Sequence, residues 1–222
     1  MLLLMRLELS KFNIKKYILF SVFILIGICL FTTISLFAIE QDHATNYEDA
    51  IKMINAAIID CYLIFGGILV MKVIVEEYLK RTISVLFTYS VNRHKLMISK
   101  VVLVLGITVS FWLINEIISI SYLVTVGNHL GLALNTFSAE DFIYWLMQLG
   151  WGFMIMLCFI LLIADVAFIK KTSQYVFMTS LISVIIVQII ISQSLEKFVI
   201  CLGMLSLLIT MISIKKYADR IE

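Results

Sequence analysis

Three carboxylates, Asp60, Glu116 and Asp165, stand inside long apolar stretches of this chain, and their setting limits the chemistry the sequence can hold. An ionised carboxylate near the middle of a bilayer costs roughly 2.5–3.5 kcal/mol, so such a residue faces protein, water or a partner. Asp60 and Glu116 both fall toward the outer half of the membrane by residue counting, where with Asn115 they would form one polar patch. Two readings fit that patch: a protonated, hydrogen-bonded packing contact, or the lining of a cavity that attracts cationic cargo or binds protons. Asp165 lies about one helical turn from Lys170 and Lys171 and is expected to pair with them at a surface. Gln148 and Gln188 suit interhelical hydrogen bonds. A metal centre is not expected. His43, His94 and His129 are scattered among polar connections, and Cys29, Cys61, Cys158 and Cys201 sit singly in apolar runs, where a thiol is an inert core group.

The elements that position these groups follow from composition. Hydrophobic residues make up 62% of the 222 and charged residues 14%, with a mean hydropathy of +1.07; a soluble chain is about 45–50% apolar and about 25% charged. The net charge of +2 gives no basic excess that would point to nucleic acid. A hydrocarbon core about 30 Å thick needs about 20 apolar residues in a helix. Six stretches meet that length: Ile18 to Ile39, Ile54 to Val75, Val101 to Val126, Phe142 to Ile169, Ser173 to Gln193 and Lys197 to Ile214. The longest gap, Glu76 to Lys100, leaves no room for a soluble catalytic domain. The expected fold is therefore an all-α membrane protein, a single domain over 1–222 with six transmembrane helices. There is no proline, so a break within a helix is expected at glycine or a polar residue. Gly66-Gly67 in the second span is read as a close-packing point first and a flexible joint second.

Charge placement sets the orientation. All but Lys52 and Lys197 of the 17 Lys and Arg fall in the N-terminal stretch, the second-to-third connection and its flanks, the fourth-to-fifth connection and the tail. Positive residues in short connections stay cytoplasmic, which places both termini inside. The intervening connections carry Glu40, Asp42, Glu48, Asp49, Glu140 and Asp141. Tyr144 and Trp145 open the fourth span, where amphipathic rings suit the interface. Residues 1–16 are read as an interfacial segment.

The most informative polar segment runs from Glu76 to Lys95. Leu79, Ile83, Leu86 and Phe87 share one helical face, and Glu76 and Glu77 suit a helix start. Such an amphipathic helix either rests in the lipid interface or docks a cytosolic partner.

A six-span chain whose second-to-third connection reads Glu76-Glu77-x-x-x-Arg81-Thr82, then Leu86-Phe87, then Ser90-Val91-x-Arg93-x-x-Leu96 and Lys100, resembles the permease subunit of an ABC-2-type transporter. The resemblance implies a coupling helix between spans two and three on which a cytosolic ATPase docks through Glu76, Glu77, Leu79, Arg81, Ile83, Leu86, Phe87, Arg93 and Lys95. It further implies a second permease chain, identical or related, two ATPase subunits that bind ATP and Mg, and a place in the bacterial cell membrane. No G-x-x-x-x-G-K-[ST] loop occurs, so this chain carries no ATPase and is not expected to be an enzyme or to hold a cofactor. By the same resemblance the cargo would be an amphipathic or antimicrobial peptide, such as phenol-soluble modulins, lantibiotics or bacitracin-like drugs, exported from a Gram-positive cell. The alternative is a secondary transporter or channel driven by an ion gradient through Asp60 and Glu116. Glu76-Glu77-x-x-x-Arg81 also resembles the first motif of CAAX-type intramembrane proteases, but their F-x-x-x-H and H-x-x-x-[ND] motifs are absent.

Overall fold

The computed structural model describes residues 14–40, 47–79, 93–129, 137–192 and 196–219, helical throughout apart from short turns. In order these are α1 (Ile14–Glu40), α2 (Tyr47–Val70), a π-helical turn (Met71–Val75), α3 (Glu76–Leu79), α4 (Arg93–His129), α5 (Ala139–Lys170), α6 (Ser173–Ser192) and α7 (Glu196–Asp219). Five stretches are long and apolar enough to cross a membrane: Lys15–Leu36, Tyr47–Leu79, Lys95–Gly127, Ala139–Lys170 and Ser173–Ser192. The apolar part of α7 described here is shorter, Leu202–Ser213. The all-α membrane class expected from composition is the class observed. The N-terminal interfacial segment expected over 1–16 falls almost wholly outside the described residues, and so does most of the expected coupling helix, with Arg81, Ile83, Leu86 and Phe87.

The helices outrun the apolar stretches that announce them. α4 begins at Arg93, two turns before the apolar run that starts at Val101, because backbone hydrogen bonding continues through interfacial polar residues. α5 has a defined start. The Ser138 hydroxyl accepts from the Asp141 backbone N–H at 3.3 Å, and the Asp141 carboxylate accepts from the Ser138 N–H at 2.8 Å, a reciprocal capping box. It also has a defined end. Lys171 adopts a left-handed conformation (φ 53°), and its N–H bonds the Ala167 carbonyl at 3.0 Å. The Lys171 ammonium lies 4.9 Å from the centre of the Tyr78 ring. Lys171→Gly relieves the backbone but loses this cation–π contact, and both effects are worth about 1 kcal/mol. That variant is expected to be near neutral in thermal unfolding in detergent, whereas Lys171→Ala keeps the strain and is expected to lose about 1 kcal/mol.

Burial runs opposite to that of a soluble bundle. On α1 the buried face is Ser21, Ile28, Thr32 and Leu36, while Leu19, Phe23, Leu30 and Ile34 are exposed. On α6 Val176, Ser180, Ser183, Val187 and Ile190 are buried. On α7 Ser206, Thr210 and Ser213 are buried, while Met204, Leu208 and Met211 are exposed. Large apolar side chains thus face lipid and small hydroxyl residues face protein, which lets backbones approach. Several of these hydroxyls bond within their own helices, as Thr32 does to the Ile28 carbonyl (2.7 Å), Ser183 to Ser180 (2.6 Å) and Thr210 to Leu207 (2.8 Å), so the burial of these three leaves no unsatisfied donor.

The chain packs as two compact units. One comprises Ile14–Cys61 and Ser110–Phe153. Its interior is built from Ile51, Ile54, Ile58 and Ile59 of α2 with Trp112 and Leu123 of α4. Gly152 of α5 is needed there, because a Cβ would stand 2.9 Å from the Trp112 ring and 3.3 Å from the Asn55 side-chain oxygen. The other comprises Tyr62–Val109 and Met154–Glu222. Its core includes Tyr62 and Phe65, edge to face at 5.6 Å, with Leu69, Trp-free packing from α5 through Met156, Ile160 and Phe168, and Val176 and Val187 of α6. Gly66 sits against Ile160 and Thr108, and Gly67 against Ser180, so the pair is the close-packing point expected. The irregularity in this rod lies at Met71–Val75, which contains no glycine but does contain the polar Lys72. Four of the six residues from Val70 to Val75 are β-branched and crowd a tightly wound helix.

Candidate functional site

Two groups of polar side chains stand out, one in each unit. The first surrounds α3. The π turn closes with the Glu76 N–H on the Met71 carbonyl, and α6 packs against that turn. Glu76 then pairs with Lys72 at 2.6 Å. Glu77 pairs with Lys100 of α4, whose ammonium also donates to the Val73 carbonyl at 3.4 Å. Tyr78 carries the Lys171 ammonium on its ring. Lys100 is only 2% exposed, and Glu77 is largely shielded. Leu79 is 63% exposed and Lys95 is exposed. Of the residues expected to dock a partner, Glu76 and Glu77 are therefore engaged with their own chain, Leu79 and Lys95 are open, and Arg93 opens α4. Sequence reading counted Lys100 among the cytoplasmic charges but missed it as a buried partner, since the pairing spans residues far apart in the chain.

The second group lies inside the unit formed by Ile14–Cys61 and Ser110–Phe153. Trp112, Glu116 and Ser119, spaced by four and three, share one face of α4 and are buried. Trp112 and Trp145 of α5 lie beside the Glu116 carboxyl, yet neither indole N–H has a hydrogen-bond partner, and one of the carboxyl oxygens has none either. Asn55 of α2 donates to the Gln148 carbonyl at 3.1 Å, while its own side-chain oxygen is unsatisfied. Asn115 binds the other way, donating to Ser21 of α1 at 3.1 Å. Asp60 is half-buried on α2. Two expectations need correcting here. Trp145 is turned inward beside Glu116 and Phe142 rather than serving only as an interfacial anchor. The Gln148 side chain bonds Tyr144 on its own helix (3.2 Å), and the interhelical bond runs through its backbone carbonyl.

Asp165 also departs from expectation. It is 2% exposed, and neither carboxylate oxygen has a hydrogen-bond partner. Lys170 instead lies over Tyr175 at 5.2 Å and Lys171 over Tyr78. The reason is helical geometry: both lysines leave α5 at its last turn toward aromatic rings, while Asp165 sits on the inward face near Ser213. Among the described residues, no group of three or more His, Cys, Asp or Glu is placed to hold a metal ion.

A chain of long apolar helices with lipid-facing exteriors and ion-paired ends is a multi-pass cell-membrane protein. The model of the family described as "ABC-2 family transporter protein" matches residues 4–189, and the chain belongs to that family. It is also 27% identical over 118 residues to the uncharacterized protein YcbO of Bacillus subtilis (strain 168), a match that covers 52% of each chain. No solved structure matches. Membership makes the chain a transmembrane component of the ABC-2 transporter class.

Proposed function

We propose that this chain is the permease of an ATP-driven exporter in which two permease chains, identical or related, form the translocation route and two cytosolic ATPases bind ATP and Mg. The match over residues 4–189 carries the reading. The segment 76–95 receives the ATPase. The cargo is an amphipathic or antimicrobial peptide: the lipid-like composition of the spans favours such a molecule over a hydrophilic solute, which needs a wetter path. Co-purification with an ABC ATPase, sought first in the neighbouring reading frames, tests the docking assignment. An aspartate in place of an apolar anchor at an interface costs about 2 kcal/mol or more, so Leu86→Asp and Phe87→Asp are expected to weaken association at least about tenfold. Unchanged association in correctly inserted variants removes the assignment. Uptake of a labelled phenol-soluble modulin into inside-out vesicles, with ATP and without, tests the cargo class.

A further inference from the structure

Lys100 and Glu77 tie the end of α2 to the start of α4. The Lys100 ammonium meets two acceptors on the α2 rod, the Val73 carbonyl and the Glu77 carboxylate, which stand one helical turn apart on the same face. A lysine this deeply buried is retained as a cation only where acceptors are fixed around it. One of those acceptors belongs to the π turn, whose widened winding alters where its carbonyls point and so offers one to a side chain from outside the helix. The neighbouring contacts reinforce the same point. Glu76 is held by Lys72, Tyr78 lies under Lys171 from the α5–α6 turn, and α6 packs on the π turn. Every one of these contacts lies within one compact unit.

We infer that Glu77 and Lys100 form a clamp across the base of the segment between α3 and α4, so that a displacement imposed on that segment moves α2 and α4 together. Glu77 is then a positioning residue that works through Lys100, not a residue that grips the ATPase. A segment fixed at both ends by a charge-assisted, directional contact transmits a push to both helices, whereas one secured only by apolar packing can slide at its base. The inference rests on the reading that residues 76–95 receive an ATPase, and it adds how the stroke is delivered.

The test uses the full chain in complex with its ATPase. Spin labels are attached through bio-orthogonal side chains in two pairs, Met53 on α2 with Met147 on α5 and Ile118 on α4 with Met147, all exposed. The separation in each pair is measured without nucleotide and with ATP and vanadate, while ATPase co-purification and ATP hydrolysis are followed in parallel. The complex with Glu77 and Lys100 intact is expected to show a nucleotide-dependent shift in both pairs. Glu77→Gln and Lys100→Met are both expected to lose most of that paired shift, and Lys100→Met, which lies outside the docking segment, is expected to keep the ATPase bound and hydrolysing. The exchanged pair, Glu77→Lys with Lys100→Glu, is expected to recover it, which separates a clamp from a merely structural role. Single variants that shift like the unaltered complex overturn the inference. So do single variants that shed the ATPase, since Glu77 would then be a docking residue. Failure of the unaltered chain to bind any ATPase sinks the docking reading itself, and the clamp with it.

Discussion

Gly67→Ala is expected to destabilise the protein by about 1–3 kcal/mol, while Gly203→Ala, the same chemical change in another helix, is expected to stabilise it by up to about 1 kcal/mol. A Cβ built on Gly67 would stand 2.8 Å from the Cβ of Ser180 and 3.1 Å from its hydroxyl oxygen. The Ser180 Cβ is fixed to its backbone and cannot swing away as a side-chain tip can. Relief therefore requires α2 and α6 to separate, and a displaced helix loses dispersion contacts along its whole buried face. Gly203 meets nothing within 4 Å, so alanine there brings only the gain in helix propensity. Opposite signs at the two positions isolate the packing contribution from the backbone one. For a chain of this size each kcal/mol moves the unfolding midpoint by about 2–4 °C, and thermal unfolding in detergent resolves the pair. Ser180→Gly combined with Gly67→Ala reopens the space and is expected to restore much of the loss. Equal effects of the two alanines would mean that α2 and α6 do not touch at Gly67.

How much of this was legible in the sequence depends on the range over which each feature is decided. The spans were legible because a bilayer imposes a length and a composition that any apolar run either meets or fails. The start of α5 was legible in principle, since Ser138 and Asp141 stand at capping-box spacing, although both acids there first read as loop charges. Gly66-Gly67 was read correctly as a packing point, because small residues inside apolar helices have few other uses. What escaped were the decisions made by a partner remote in the chain. Lys100 and a surface lysine have the same letter, and only the return of α4 alongside α2 turns the first into a buried counter-ion. Asp165 and Lys170 have the spacing of an ion pair, but the last turn of α5 directs the lysines to Tyr175 and Tyr78. The π turn was unreadable for a different reason. Its β-branched residues are also ordinary helix-span residues, and nothing in their order distinguishes a widened turn from a regular one.

Glu116→Met is expected to raise stability by about 1–2 kcal/mol, an unusual direction for a substitution at a site only 2% exposed. The carboxyl sits among Trp112, Trp145 and the apolar interior of its unit, with one oxygen unsatisfied and no ion pair among the described residues. Methionine has nearly the same length and flexibility, fills the same space and leaves no polar oxygen to satisfy. The gain is smaller than removal of a buried carboxyl from a soluble core would give, because a helix released from its neighbours stays in lipid and keeps part of the cost. Glu116→Gln keeps a polar side chain of nearly the same shape beside the two indole rings and is expected to stay within about 1 kcal/mol of the original protein. Activity then distinguishes the two uses of the carboxyl. A packing contact leaves nucleotide-driven transport intact in both variants, so stability rises at no functional cost. A carboxyl that exchanges a proton or meets cationic cargo loses transport in both, because glutamine and methionine alike remove the ionisable group while leaving the ATPase attached. An ion-gradient mechanism makes the stronger demand that transport continue without the ATPase and stop in Glu116→Gln. The ATP-driven reading requires the opposite dependence: removal of the ATPase abolishes transport whatever residue stands at position 116.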